Sequence, residues 1–267
     1  RSPKKRSLLS VNEHFEGERN DKIHFLFSLF FISIGYRNKK KSYLCHMNVK
    51  IIIFDFDGTL CDTRQNIIIA FRATMERLGL ELRDEAACAA TIGLTLYDGF
   101  RVLYPEHEAA MTQHCVDSYR AIFAERRREL IPALFPNVRE TLVALRERGY
   151  RLTIASSRLT ESLMLFMREH HIDHLFDYVV GSDSVTHHKP HPEPVTKTLH
   201  AMGYAPDEAL VVGDMPVDVA MAHGAEVKAC AVNYGNATHE ELLAANADYI
   251  IGDISEVIDI VSRTTLP

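Results

Sequence analysis

The chain has 267 residues, 46% of them apolar, and a formal net charge of −6. That length and apolar share suffice for one sizeable core plus a smaller module. The acidic balance excludes nucleic acid as the main partner and means that an anionic substrate needs a locally positive site.

Residues 1–46 read as foreign to the rest of the chain. They begin at Arg1 and mix basic clusters, Lys4-Lys5-Arg6 and Lys39-Lys40-Lys41, with an apolar patch over 25–34. The patch is too short to span a membrane, and no small-residue cleavage site comes after it. The expectation is an extension outside the native fold, which then starts at Met47. An interfacial anchor is the competing reading. The 5 cysteines, Cys45, Cys61, Cys88, Cys115 and Cys230, are scattered, odd in number and lack a CxxC pair. They read as free thiols of a reducing, cytoplasmic compartment, and neither structural zinc nor a membrane partner is expected.

From Met47 short apolar strands alternate with longer helical stretches. Strands are expected at 50–54, 151–155, 178–180, 209–213, 228–232 and 249–251. Helices are expected at 138–148, 161–170, 194–202 and 218–223, with Gly149 and Gly203 closing the first and third. Alternation of this kind argues for an α/β fold with a doubly wound parallel sheet, whose strand ends gather at one rim. Residues 63–134 break the pattern. They show helical periodicity without a clear strand and read as an all-helical insertion after the first strand.

The first strand carries the most chemistry. Its β-branched run ends in Asp55-Phe56-Asp57-Gly58-Thr59, at the strand end where open α/β sheets hold ligands. Paired carboxylates there are costly unless a cation neutralises them, which points to a metal ion and phosphoryl chemistry. Asp55 is placed to attack phosphorus. Asp57, two residues on, is expected to feel like-charge coupling that keeps one carboxyl protonated. It then donates to the leaving oxygen and later accepts a proton from water. Gly58 lets backbone approach a phosphate, and Thr59 fixes the loop through its hydroxyl.

The strand at 151–155 ends in Ser156-Ser157. Ser156 is either a phosphate contact at a helix start or a plain N-cap. Gly58, Thr59 and Ser157 complete the expected substrate contacts. Lys189 lies in His187-His188-Lys189-Pro190-His191-Pro192, where prolines restrict the backbone. It is either a point charge that neutralises Asp55 and a phosphoryl group or a solvated lysine. The neighbouring histidines read as exposed loop residues, with a metal site as the alternative. The strand at 209–213 ends in Asp214, with Asp218 four residues on. Asp214 is expected to supply a second metal carboxylate with Asp218 in support, unless Asp218 only complements a helix dipole. Oxygen-only ligation with few carboxylates suits Mg2+.

These segments, in this order, resemble the haloacid dehalogenase-like hydrolase superfamily, and within it the phosphoglycolate phosphatase-like members. The resemblance runs from about Met47 to the end and rests on Asp55-Phe56-Asp57-Gly58-Thr59, Ser156, Lys189 and Gly213-Asp214-Met215-Pro216-Val217-Asp218. It implies a Rossmann-like core over 47–62 and 135–267 with a small helical cap over 63–134. It implies an aspartyl-phosphate on Asp55, and Mg2+ held by the Asp55 carboxylate, the Asp57 carbonyl and Asp214, with Asp218 nearby. The implied activity is Mg2+-dependent hydrolysis of a small phosphorylated metabolite, phosphoglycolate first, by a monomer or homodimer. Asn233-Tyr234-Gly235 and 247–251 resemble the family's closing strands, and 92–96 resembles a cap loop over the substrate, with an ordinary turn between helices as the competing reading. Tyr97, Arg101 and Arg72 are possible leaving-group contacts. Three positions depart from the pattern: Met215 stands where a hydroxyl residue is usual, Ser157 where asparagine is frequent, and Glu226 where glycine is common. A sugar-phosphate mutase is the alternative, but those members carry a histidine where this chain has Ile67. A catalytically weak binding protein on the same scaffold is a further reading, and Met215 is its support.

Overall fold

A computed structural model describes residues 48–126 and 129–262. The expectations placed on residues 1–46, on Cys45 and on Met47 lie outside the described residues.

In chain order the elements are β1 (Ile51–Phe54), β2 (Cys61–Asp62), α1 (Arg64–Leu78), α2 (Glu85–Ala89), α3 (Leu96–Leu103) and α4 (Ala109–Glu125). Then come β3 (Ala133–Leu134), α5 (Val138–Glu147), β4 (Arg151–Ala155), α6 (Thr160–Glu169), β5 (Tyr178–Val180) and α7 (Glu193–Met202). The chain continues with β6 (Ala209–Gly213), α8 (Pro216–Gly224), β7 (Lys228–Val232), α9 (His239–Ala244), β8 (Tyr249–Ile251) and α10 (Glu256–Ser262).

Six strands form one parallel sheet in the order β5-β4-β1-β6-β7-β8. This is the doubly wound, Rossmann-like α/β fold expected from the alternation. All four residues of β1 are buried, because the strand is central and helices cover both faces; a strand covered on both sides needs no polar alternation. Successive side chains still point to opposite faces. Ile52 and Phe54 pack with Leu142, Leu145 and Phe166 on one side. Ile51 and Ile53 pack with Val195, Leu199 and Ala222 on the other. The chain leaves β1 for β4 and β5 on one flank and returns to build β6, β7 and β8 on the other. The crevice at the carboxyl end of β1 is therefore the topological switch point.

The helices α1 to α4 share a separate apolar cluster that includes Phe71, Met75, Phe100 and Tyr119, with the Phe71 ring 4.9 Å from Phe100 and 5.1 Å from Tyr119. One detail differs from the expected all-helical insertion. Ala133–Leu134 pairs antiparallel with Cys61–Asp62, Cys61 opposite Leu134 and Asp62 opposite Ala133. Two-residue strands are too short to leave an alternation signal, yet this ribbon ties together the two chain segments that enter and leave the helices.

Gly149 and Gly203 have φ of 87° and 73°, as their helix-ending positions anticipate. Glu226 adopts φ 60° after α8, so the position where the family resemblance expects glycine is left-handed here too. No helix among the described residues is long and apolar enough to cross a membrane.

Candidate active site

Asp55 directly follows β1, and its backbone N–H donates to the Val212 carbonyl at 2.8 Å, extending the sheet by one residue. Its carboxylate meets Lys189, which arrives from the loop between β5 and α7. The Lys189 ammonium lies 2.6 Å from Asp55 Oδ1 and 2.6 Å from Asp218 Oδ1. That loop is pinned by Glu193, whose carboxylate accepts from the backbone N–H groups of Thr186 and His187 at 2.8 Å each. Asp214 directly follows β6. Its Oδ2 accepts from the Asn236 backbone at 2.7 Å and from the Asn236 amide at 2.8 Å; its Oδ1 accepts from Thr59 Oγ1 at 3.3 Å. Asp218, in the first turn of α8, reaches back to accept from the Met215 N–H at 3.0 Å. Backbone closes in from behind. Gly58 has φ 82°, and a Cβ there would stand 2.1 Å from Asp214 Oδ2, so the position admits only glycine.

Among the described residues, this cluster sets three buried carboxylates against one ammonium. Burial drives the Asp55 carboxyl well above its ordinary range; Lys189 opposes the rise, while Asp218, Asp214 and lastly Asp57 add to it. The like-charge coupling anticipated between Asp55 and Asp57 is thus a smaller influence than burial and the other acids. Asp214 is pushed up to about 7, first by burial and then by Asp218, against the Asn236 hydrogen bonds. Burial works against the charge on Lys189, but Asp218 and Asp55 outweigh it and hold the ammonium above its usual value. Asp55, Asp214 and Asp218 each offer an oxygen within 4.8 Å of the others. A compact, all-oxygen site short of positive charge fits a hard divalent cation.

Asp57 stands apart from that cluster. Arg158 donates to it through two bonds, Nη2 to Oδ1 at 2.6 Å and Nε to Oδ2 at 3.1 Å. The guanidinium rests against the faces of Phe166 and Phe123, 5.0 and 5.6 Å from their centroids. The sequence reading missed Arg158, and it missed Asn236. Arg158 lies two residues past the strand-end Ser156, and its partner is 101 positions away, so no local pattern links the two. Asn236 directly follows the Asn233-Tyr234-Gly235 segment, and that adjacency is its one local signal.

A cavity of about 700 Å3 opens over Asp55 and Asp57, between the sheet rim and the helices α1 to α4. Ser156, Ser157 and Arg158 border it. Ser156 Oγ accepts from the Arg158 N–H at 3.2 Å, which leaves its own hydrogen to donate. Ser157 Oγ donates to the Gly93 carbonyl at 2.6 Å, and Gly93 packs beside Met215 and Val217. The loop 92–96 is therefore seated on the sheet domain. Tyr97 borders the cavity; Arg72 and Arg101 do not, and Arg72 lies 3.8 Å from Glu85. Gly58 and Thr59 face Asp214 instead of the cavity, so of the three expected substrate contacts Ser157 alone borders it. His187 and His191 are exposed as expected, their rings stacked at 4.5 Å, with His187 Nδ1 2.8 Å from Glu193, whereas His188 departs from the expectation: it is half-buried and borders the cavity.

Residues 52–232 match the family model described as haloacid dehalogenase-like hydrolase. The chain belongs to that family. It is 35% identical over 210 residues to the probable phosphatase IndB of Dickeya dadantii, covering 78% of this chain and 91% of that protein. It is 30% identical over 217 residues to the pyrophosphatase PpaX of Bacillus mycoides, covering 81% and 99%. Among solved structures, a predicted phosphoglycolate phosphatase from Haemophilus somnus superposes with a TM-score of 0.74 at 25% identity, covering 80% of this chain and 98% of that one.

Proposed function

We propose that this protein is a Mg2+-dependent phosphomonoester hydrolase that acts on a small phosphorylated metabolite, with the phosphoryl group carried transiently on Asp55. The observation that carries the reading is the Lys189 ammonium 2.6 Å from both Asp55 and Asp218 at the switch point of the sheet. A relative named as a probable phosphatase and one named as a pyrophosphatase support phosphoryl hydrolysis.

Lys189 holds Asp55 Oδ1 and stabilises its charge against burial, which leaves Oδ2 to attack phosphorus. The bond from phosphorus to the alcohol oxygen breaks, and Asp57 protonates that oxygen, which requires it to enter the step as the neutral acid with one oxygen released from the Arg158 fork. Water then attacks the phosphoryl group on Asp55, Asp57 takes its proton, and phosphate leaves. Ser156 donates to a phosphoryl oxygen. Asp55, Asp214 and Asp218, with the Asp57 carbonyl, are the groups that would hold Mg2+. When bound, the ion supplies the positive charge that lets an anionic ester approach an anionic nucleophile. Residues 63–134 act as a cap that keeps water from the leaving group, over a core of 47–62 and 135–267. The buried free thiols of Cys61, Cys88, Cys115 and Cys230 suit a cytoplasmic enzyme working as monomer or homodimer. The family resemblance makes phosphoglycolate the first natural ester to test.

The test is release of p-nitrophenol from p-nitrophenyl phosphate. Hydrolysis with Mg2+, its loss on chelation and its return on adding Mg2+ are expected. Activity indifferent to chelation, or none across a broad phosphoester panel, contradicts the reading.

A further inference from the structure

We propose that the cavity over Asp55 and Asp57 selects phosphomonoesters whose alcohol part is uncharged, largely apolar and about the size of a ring, over those that carry a second anionic group. The proposal rests on the phosphatase reading and names its substrate class.

Size is the first argument. A cavity of about 700 Å3 falls in the range that encloses ligands far larger than a glycolyl or a second phosphoryl group. This volume does not come from a displaced cap loop, because Ser157 already holds Gly93 at 2.6 Å.

Wall chemistry is the second. Ile67, Phe71, Leu94, Tyr97, Tyr119 and Phe123 are among the residues that line it. Aliphatic and aromatic surface rewards an apolar body and penalises a desolvated carboxylate.

Charge is the third. Among the described residues, Arg120 and Arg158 are the lysine or arginine side chains that border the cavity. Arg158 gives two bonds to Asp57, and Arg120 is nearly half exposed, 3.9 Å from Asp117. Lys189 is already engaged by Asp55 and Asp218. Against them stand Asp55, Asp57, Glu161 and Asp183. The carboxylate of phosphoglycolate, or the second phosphate of pyrophosphate, would meet apolar wall and like charge without a lysine or arginine free of an acidic partner; the half-buried His188, whose Nδ1 has no hydrogen-bond partner, is a polar group bordering the cavity that is left to meet it. Desolvating an anion without a partner is costly, so the site discriminates against both.

The experiment has two arms, both with Mg2+ present. In the first, kcat/KM is compared for benzyl phosphate, 4-carboxybenzyl phosphate, phosphoglycolate and pyrophosphate. Benzyl phosphate should exceed each of the others by about ten-fold or more. Leu94→Arg should narrow the gap between benzyl and 4-carboxybenzyl phosphate by placing a cation in the apolar wall. In the second, calorimetry compares 2-phenylethylphosphonate with 3-phosphonopropionate, the uncleavable counterparts of benzyl phosphate and phosphoglycolate. The phenyl compound should bind about ten-fold tighter or better. Preference for phosphoglycolate or pyrophosphate, an unchanged ratio in Leu94→Arg, or tighter binding of 3-phosphonopropionate overturns the proposal while leaving the phosphatase reading intact. If no ester turns over, the phosphatase reading falls, and the calorimetric ranking still decides the preference of the cavity.

Discussion

Arg158 holds the carboxylate of Asp57 by both oxygens while two aromatic faces hold the guanidinium. A planar fork fixes a carboxylate in position and direction; an ammonium fixes only distance. Arg158→Met should therefore lower kcat about 100-fold with little change in KM, and Arg158→Lys should recover part of the loss. Steady-state kinetics on one small ester reads both, and a kcat within about two-fold of wild type in Arg158→Met would remove the positioning role. Asp55, Lys189 and Asp214 were legible in the sequence, whereas Arg158 was not. Asp55 and Asp214 each follow a buried apolar run, and Lys189 is followed by Pro190 and Pro192. Arg158 has no such flank, and arginine near a helix start is ordinary on any surface. Met215 stands out in the sequence for the hydroxyl it lacks, yet its backbone N–H still anchors Asp218, a bond that any residue other than proline can make.

At the scale of elements, five of the six core strands have the bounds that their apolar runs foretold. The sixth, β1, begins one residue later, at Ile51. The inner strands β1, β4, β6 and β7 are buried over most of their length and read as nearly continuous apolar blocks, the easiest strand signal to read. The β2–β3 ribbon was invisible because its stability comes from pairing across the chain. The family resemblance offered loop 92–96 as a cap loop over the site, but its hydrogen bond from Ser157 was beyond the sequence, since a Gly-Leu-Thr turn is common whether or not it touches anything. The Ser157–Gly93 hydrogen bond that seats it should contribute about 1 kcal/mol. Ser157→Ala should raise amide hydrogen exchange across 92–98 and leave the unfolding midpoint close to wild type. Unchanged exchange there would mean that the loop is held by packing alone.

Across the whole molecule, the decisive fact is strand order. Periodicity identifies strands but not neighbours, so the convergence of positions 55, 189, 214 and 218 came from the family resemblance and from the general rule for parallel sheets. Convergence concentrates negative charge. The folded-state pKa of Asp214, about 7, is above its unfolded value of about 3.9. The folded state then binds the proton more tightly. Stability is greatest below the unfolded value and falls as pH rises through about 7. Urea unfolding of chelated protein should thus show a lower midpoint at pH 8 than at pH 5.5. Mg2+ should raise the midpoint more at pH 8, by binding the folded state. An equal Mg2+ effect at both values would contradict the account of the acidic cluster.

The central claim, that Asp55 carries the phosphoryl group, has one direct measurement. A turning-over reaction is quenched in acid, digested and read by mass spectrometry. The account predicts one added phosphoryl group on the peptide containing Asp55, and neither adduct nor turnover in Asp55→Asn with the fold retained. A phosphoryl group on another residue, or full activity in Asp55→Asn, would contradict it.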